Sequence, residues 1–196
     1  MVGAAYRLVE RIDNENYKAF DQNNEKFLIR IFYVEPSLLQ RELQIGRSVD
    51  HPNLAPFVDG RFDCEPMWMA RPWLEGRPLA VWLKQGPQPV EFVTSFLEQT
   101  LNALEHLHSQ GILYRNWTTD KLILSGDRWI LTELGLGSIN QLAGAAQVRS
   151  GSYEPGIQYM APEIFMGASF NPKSDLYGTA SLAYHLLTGQ APYRSD

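Results

Sequence analysis

The hydrophobic pattern divides the chain into a strand-rich first third and a helix-rich remainder. The first third carries short apolar runs of β-favouring residues, at residues 6–12, 17–20, 26–33, 55–62 and 67–73. The polar segment Asp13-Asn14-Glu15-Asn16 predicts a tight hairpin turn between the first two strands. Pro36-Ser37 then marks the start of a helix over residues 38–49.

The remainder of the chain is dominated by two helices of different character. Residues 90–110 place apolar side chains at helical spacing and predict a long amphipathic helix. Residues 175–187 are apolar on nearly every side, which is typical of a fully buried helix. Between these helices lie short apolar runs that suit small strands and a glycine-rich loop, at residues 112–114, 121–124, 129–131 and 135–156. The sequence therefore predicts an α+β fold, with a linker near Glu75-Gly76 between a β-rich lobe and a helical lobe.

The composition is that of a globular protein and argues against several functional classes. The formal net charge of −5 offers no surface that would neutralise phosphates, so we expect no nucleic-acid partner. No apolar stretch approaches the length of a membrane span, and charge comes too early in the N-terminal segment for a signal peptide. The single cysteine, Cys64, excludes an internal disulfide, so we expect a cytoplasmic protein.

Motifs in a fixed order along the chain carry a family resemblance. The segment GILYRNW at residues 111–117 resembles the catalytic-loop pattern G-I-x-H-R-D-L, and LTELG at residues 131–135 resembles the metal-binding pattern L-x-D-F-G. YMAPE at residues 159–163 matches the end of an activation segment, and SDLY at residues 174–177 begins the helix that follows it. The chain therefore resembles the eukaryotic-type (Hanks-type) Ser/Thr protein kinase family, including its bacterial members.

The resemblance implies one bilobal protein-kinase-like domain of the α+β class. Its N-lobe, a small antiparallel sheet with one helix, is expected over residues 1–75. Its mainly helical C-lobe is expected over residues 76–196. This C-lobe would be truncated after the central helix over residues 175–187.

The resemblance also implies that three residues of the catalytic machinery have changed. Asn116 replaces the catalytic aspartate, and an amide cannot accept the proton of the attacking hydroxyl. Lys121 replaces an asparagine that binds magnesium, and a fixed cation there repels a metal ion. Glu133 replaces the metal-binding aspartate with a side chain one methylene longer, and a displacement of about 1 Å can cost about 10²-fold in rate.

In the N-lobe, the resemblance places Arg30 at the position of the phosphate-binding lysine and Glu42 at that of the helix glutamate that pairs with it. Leu28 stands where a small residue packs on adenine, and Arg71 aligns with the gatekeeper position. The turn at residues 13–16 has no glycine with which to cradle phosphates. The further counterparts of nucleotide-pocket residues are Leu74 and Ile123.

These substitutions favour a catalytically inactive domain, a pseudokinase, that acts as a protein-interaction scaffold or an allosteric regulator. On this hypothesis the chain is not an enzyme, binds no metal and needs no cofactor. Two alternatives stay open: a weak or divergent Ser/Thr protein kinase that uses ATP and Mg²⁺, and an ATP-binding sensor without phosphotransfer. The hypothesis also predicts a polar cluster in the emptied pocket, in which Glu42 contacts Arg30 or Arg71 and Glu133 or Lys121 joins them.

The apolar helix between Asp175 and Leu187 is the expected contact surface. The family counterpart of Glu163 pairs with an arginine in later helices, and we expect that partner to be absent here. An uncovered apolar helix drives association, so we expect a protein partner or self-association, for example as a dimer. The alternative is that residues 137–156 fold over the helix.

Overall fold

The computed structural model describes residues 5–134 and 156–192. Its first part is a five-stranded antiparallel sheet with the strand order β1-β2-β3-β6-β5. The strands of this first sheet are β1 (Arg7–Arg11), β2 (Asn16–Phe20), β3 (Lys26–Phe32), β5 (Asp59–Arg61) and β6 (Met67–Pro72). The helix α1 (Pro36–Ser48) follows β3, and its start agrees with the signal at Pro36-Ser37.

The turn between β1 and β2 is built by the side chain of Asp13. Its Oδ1 atom accepts hydrogen bonds from the backbone N–H groups of Glu15 and Asn16, each at 2.8 Å. The carboxylate satisfies these donors itself, so the turn needs neither glycine nor a bound anion. The backbone N–H of Ile31 donates to the carbonyl of Glu15 at 2.9 Å and holds the end of the turn beside β3. The predicted hairpin is confirmed.

One face of α1 packs on the first sheet through an apolar cluster. Its buried members are Phe32, Leu39, Leu43, Phe57 and Met69. Glu42 lies on the same face of α1 and is only 1 % exposed. A buried carboxylate needs a partner inside the molecule.

A second sheet of four short strands belongs to the helix-rich part and has the order β4-β9-β8-β7. Its strands are β4 (Leu54–Ala55), β7 (Arg77–Pro78), β8 (Leu122–Ser125) and β9 (Arg128–Thr132). β4 pairs with β9 in parallel, whereas the other pairs are antiparallel. The LTELG motif begins inside β9 with Leu131 and Thr132, and Glu133 directly follows the strand.

Helices surround a core that is rich in aromatic side chains. The described helices of this part are α2 (Leu79–Leu83), α3 (Val90–Ser109), α4 (Pro162–Phe165) and α5 (Pro172–Thr188), with a 3₁₀ turn at Ile157–Tyr159. α3 packs against both α5 and β9. The buried aromatic residues of this core are Phe96, Tyr114, Trp117, Trp129 and Tyr159.

The start of α5 is fixed by a capping box between Asn171 and Ser174. The backbone N–H of Lys173 donates to Oδ1 of Asn171 at 2.9 Å. The hydroxyl of Ser174 donates to Oε1 of Glu163 at 2.9 Å, which ties α4 to α5. The helix thus begins three residues before the predicted residue 175.

Two strands predicted from the sequence differ from the structure: one is absent and the other is shorter. Residues 112–114 form no strand, because the backbone N–H of Tyr114 donates to the side chain of Asp175 at 2.9 Å instead of to a neighbouring strand. Within the predicted strand at residues 55–62, only Asp59–Arg61 pairs with β6. The predicted loop at residues 135–156 lies outside the described residues except for Gly156.

The predicted α+β class is confirmed, with a small antiparallel sheet and one helix followed by a helix-rich part. Within residues 5–134 and 156–192, no helix combines the length and the apolar character that crossing a membrane requires.

The packing of Trp117 on α5 requires a glycine at position 178. A Cβ atom there would lie 2.5 Å from both Cδ1 and Cγ of the Trp117 ring. We therefore expect Gly178→Ala to lower the free energy of unfolding by about 1–3 kcal/mol, although alanine is the better helix former. Urea denaturation followed by circular dichroism measures this change.

The matched control is the same substitution in a Trp117→Leu background. With the ring removed, Gly178→Ala should be neutral or slightly stabilising, because only the helix propensity then changes. An equal loss of stability in both backgrounds would contradict the proposed contact.

Candidate functional site

The buried carboxylate of Asp175, in the first turn of α5, organises the segment that resembles a catalytic loop. Its Oδ1 accepts hydrogen bonds from the backbone N–H of Arg115 at 2.9 Å and from Nε1–H of Trp117 at 3.1 Å. Its Oδ2 accepts from the backbone N–H of Tyr114 at 2.9 Å and lies 2.9 Å from Nε2 of His108. A carboxylate with 0 % exposure needs such partners, so Asp175 fixes the position of the loop.

Asn116, the counterpart of the catalytic aspartate, is held at both ends of its amide. Its Nδ2 donates to the backbone carbonyl of Glu133 at 3.3 Å, and its Oδ1 accepts from the hydroxyl of Thr118 at 3.1 Å. The preceding residue, Arg115, has a left-handed φ of 60°, which is strained for any residue other than glycine. The loop is therefore a fixed structure and not a relaxed turn.

Glu133 lies at the centre of a charged group, which we name the cleft cluster: Glu15, Arg30, Lys121 and Glu133. Oε1 of Glu133 is 2.6 Å from Nη1 of Arg30 and 3.0 Å from Nζ of Lys121. Glu133 is buried and has a left-handed φ of 58°, a strained conformation of the kind found at functional sites. The predicted polar cluster is therefore present, with Glu133 at its centre. The contact of Glu42 with Arg30 or Arg71 stays a prediction.

Arg30 joins the first sheet to the segment after β9. Besides Glu133 it binds Glu15, whose Oε2 is 3.0 Å from Nη2 of Arg30. Burial alone would lower the pKa of Arg30, but the carboxylates of Glu133 and then Glu15 raise it above its ordinary value. The guanidinium therefore stays charged and links the two sides of the cleft between the sheets.

Arg71 supplies a second guanidinium from β6, beside the cleft cluster. It is buried and lies opposite Leu28 in the strand register, so it shares a face with Leu28 and with Arg30 two residues further on. Its Nη1 donates to the carbonyl of Pro72 at 3.2 Å, whereas its Nε has no acceptor in the described part of the chain. Burial lowers the pKa of Arg71 to about 10, with Glu133 nearby opposing and Arg30 reinforcing the shift. The group therefore remains a cation at neutral pH.

The other counterparts of nucleotide-pocket residues are Leu28, Leu74 and Ile123. Leu28 is half-buried and packs against the apolar cluster beneath α1. Leu74 is half-buried in the segment between β6 and β7. Ile123 is half-buried in β8, opposite Ile130 of β9. The structure brings Leu28 and Arg71 together, and the roles of all four residues in nucleotide binding stay predictions.

The sequence placed Glu15 in the turn at the position of the phosphate cradle but did not predict its contact with Arg30, and it did not predict His108 as part of the site. A signal for His108 was present, because it is a polar residue on the buried face of α3 and therefore needs a partner, which is Asp175. No comparable signal existed for Glu15, since the path of the turn decides where its side chain points.

Comparison with known proteins places this fold in a family. The sequence matches the family model described as "Protein kinase domain" over residues 3–196. Over 82 % of its length it is 32 % identical to Serine/threonine-protein kinase Pkn1 of Myxococcus xanthus, of which it covers 24 %. Over 99 % of its length it is 26 % identical to Serine/threonine-protein kinase pak-1 of Caenorhabditis elegans, of which it covers 32 %. The chain belongs to the protein kinase family, has its fold, and spans about a quarter to a third of the length of these relatives.

The expectation that the chain is not an enzyme is wrong on this comparison. Each of these relatives is named as a serine/threonine-protein kinase, as is PknJ of Mycobacterium tuberculosis, to which the chain is 28 % identical over 78 % of its length, covering 26 % of that protein. The substitutions at Asn116 and Lys121, considered alone, predicted a loss of activity. The relatives point instead to an enzyme in which these positions have changed.

The role of Asp175 can be tested by a substitution that keeps its shape. Asp175→Asn leaves one acceptor oxygen and turns an NH₂ group toward donors, so we expect the free energy of unfolding to fall by about 3 kcal/mol. Urea denaturation measures the loss. Asp127→Asn makes the same chemical change at an exposed position and should stay within about 0.5 kcal/mol of the wild type. Equal, small effects at both positions would contradict the role given to Asp175.

Proposed function

We propose that this chain is a divergent Ser/Thr protein-kinase domain that binds ATP in the cleft and transfers its γ-phosphate slowly to a protein hydroxyl. The observation that carries the proposal is the position of Glu133. This carboxylate keeps a strained left-handed backbone and lies 2.6 Å from Arg30, where the family has its metal-binding aspartate and its phosphate-binding cation.

The fixed loop supports a positioning role for Asn116. Phosphoryl transfer passes through a loose transition state in most analyses, so positioning and electrostatic stabilisation contribute more than proton removal. The Oδ1 atom of Asn116 can accept a hydrogen bond from a substrate hydroxyl and orient it, although it cannot take the proton. The hydroxyl oxygen would then bond to the γ-phosphorus as the bond to the departing ADP oxygen breaks, and the hydroxyl proton would pass to a phosphoryl oxygen or to water. Because no side-chain base stands at this position, we expect the transfer to be slow.

Unsatisfied donors in the cleft fit an anionic substrate. Nε of Arg30 and Nε of Arg71 are both buried and have no acceptor in the described part of the chain. Buried N–H groups are costly without a partner, and phosphate oxygens are strong acceptors for guanidinium groups. ATP would be held through its phosphates by Arg30 and Lys121.

The residues at the family's magnesium positions do not fit the metal. Mg²⁺ prefers oxygen ligands, whereas Nζ of Lys121 occupies one of these positions, 3.0 Å from the carboxylate of Glu133. Within the described residues, no group of three or more His, Cys, Asp or Glu side chains is arranged to hold a metal ion. The proposed transfer therefore does not use magnesium.

The expected activity can be measured with radiolabelled ATP and a Ser/Thr peptide library. We expect slow incorporation by the wild type. Asn116→Asp should raise the rate by about 10²-fold, because it restores a proton acceptor beside the hydroxyl.

A co-purified kinase is excluded by Arg30→Ala, in the wild type and in Asn116→Asp, because this change removes a phosphate-binding cation and should abolish incorporation in both. Lys84→Ala is the matched surface control, since Lys84 is exposed, and should leave the rates unchanged. Absence of incorporation by both the wild type and Asn116→Asp would contradict the proposed activity.

A second candidate function, as a protein-interaction scaffold or allosteric regulator, is favoured by an exposed apolar stripe on α5. Leu176, Tyr184 and Leu187 lie along one side of the helix and are 45 %, 49 % and 43 % exposed. A stripe of this kind is typical of a protein–protein contact. We propose that a second copy of the chain covers it.

Light scattering coupled to size-exclusion chromatography tests the stripe. We expect a dimer at high concentration and a monomer for Tyr184→Glu, because a charge in an apolar contact is costly. The matched control is Tyr33→Glu, which changes a tyrosine with 76 % exposure far along the chain and should leave the dimer intact. A wild type that stays monomeric over the whole concentration range would contradict self-association and favour coverage by residues 137–156.

We also propose the lobe boundary at residues 75–76 and a cytoplasmic location. The boundary is supported by Glu75, whose carbonyl accepts from Ser125 at 2.7 Å while its side chain pairs with Lys26 of β3. The location is supported by the single free thiol of Cys64.

A further inference from the structure

We infer that the cleft binds the triphosphate of ATP through the fixed cations Arg30, Lys121 and Arg71, without magnesium. This inference deepens the proposed function and rests on it. It adds Arg71 to the phosphate-binding residues and makes the Lys121 ammonium a substitute for the metal ion.

The ammonium group of Lys121 lies where it would compete with a magnesium ion. Its Nζ lies 3.0 Å from Oε1 of Glu133, and Lys121 is mostly buried. A magnesium ion bound to the same oxygen would lie about 2.1 Å from it, and therefore at most about 5 Å from the ammonium. Two cations this close repel strongly inside a protein, so the ammonium and the metal ion compete for one place.

Positively charged side chains surround the carboxylate of Glu133. Arg30 and Lys121 contact its carboxylate directly, and Arg71 lies on the same face of the first sheet as Arg30. The carboxylate thus occupies a place that suits an anion between two cations. A phosphate group in that place would be neutralised by side chains, which is the task that metal ions perform in related sites.

Two further carboxylates, Glu15 and Asp120, offset the charges of Arg30 and Lys121 only in part. Glu15 and Asp120, which bind Arg30 and Lys121, have side chains 50 % and 58 % exposed, so water screens them. Glu42 is also buried, on α1. Among the described residues, Glu133 is the buried carboxylate that contacts Arg30 and Lys121, so displacing it would leave cations that favour an anionic ligand.

Two guanidinium N–H groups in this part of the molecule have no protein acceptor. Nε of Arg30 and Nε of Arg71 lack acceptors within residues 5–134 and 156–192, although both are buried. Arg71 stays protonated at neutral pH, because burial lowers its pKa only to about 10. Both side chains are therefore charged, and a phosphate group that displaces neighbouring side chains would offer them acceptors.

The test is the affinity of ATP with and without magnesium. Isothermal titration calorimetry of the whole chain at constant ionic strength is run once with EDTA and once with excess MgCl₂. We expect ATP to bind as tightly in EDTA as in magnesium, or more tightly, because free ATP carries more negative charge than its magnesium complex. An affinity that rises when magnesium is added would overturn the inference.

Lys121→Asn tests the ammonium directly, and Lys84→Asn is the matched exposed control. We expect Lys121→Asn to weaken ATP binding in EDTA by about tenfold or more, and to make binding tighter on addition of magnesium. The control should bind like the wild type. Unchanged affinity of Lys121→Asn in EDTA, with its fold verified by circular dichroism, would overturn the inference.

The outcomes separate this inference from the proposed function. ATP binding that depends on magnesium, together with phosphate transfer, would overturn only the inference. Absence of ATP binding in both buffers would overturn the inference and the proposed function together. Arg71→Met gives an independent check, because it keeps the volume of the side chain but should weaken binding in EDTA, whereas Arg61→Met at an exposed ion pair should not.

Discussion

The buried carboxylate of Asp175 cannot remain without hydrogen-bond donors. The segment at residues 111–117 supplies three donors, and Nε2 of His108 lies at hydrogen-bond distance from Oδ2. Two of the donors are backbone N–H groups, so the carboxylate fixes the path of the main chain as well as the side chains. Asn116 follows directly and is fixed in turn by Thr118 and by the carbonyl of Glu133. The geometry of the cleft therefore depends on one charge at the start of α5.

The cleft depends on a second electrostatic arrangement, in which Glu133 holds Arg30 and Lys121 together. Its longer side chain suits this task, since glutamate reaches one methylene further than aspartate. A buried ion pair of this kind contributes specificity more than stability, because desolvation offsets much of its attraction. Its importance lies in placing cations where the family has metal ions and a phosphate-binding lysine.

The sequence predicted what depends on local pattern. The spacing of apolar residues predicted α3 and α5, the polar turn predicted the first hairpin, and Pro36-Ser37 predicted the start of α1. The replacement of catalytic residues by charged ones predicted a polar cluster. The sequence could not predict that Glu133 is its centre, because the contact of Glu133 with Arg30 links segments 103 residues apart. It could not predict the contact of Glu15 with Arg30, because the path of the turn decides where the Glu15 side chain points. The dependence of Trp117 on Gly178 is also non-local, and the false strand at residues 112–114 arose because a side-chain acceptor replaced a neighbouring strand.

The most direct test of a cleft that holds phosphates with fixed cations is a crystal structure of this chain grown with ATP and EDTA. The account predicts phosphate oxygens within hydrogen-bond distance of Arg30 and Lys121, with the carboxylate of Glu133 displaced from at least one of them. A crystal in which the Arg30–Glu133 and Lys121–Glu133 pairs both persist and the cleft holds no nucleotide would contradict it.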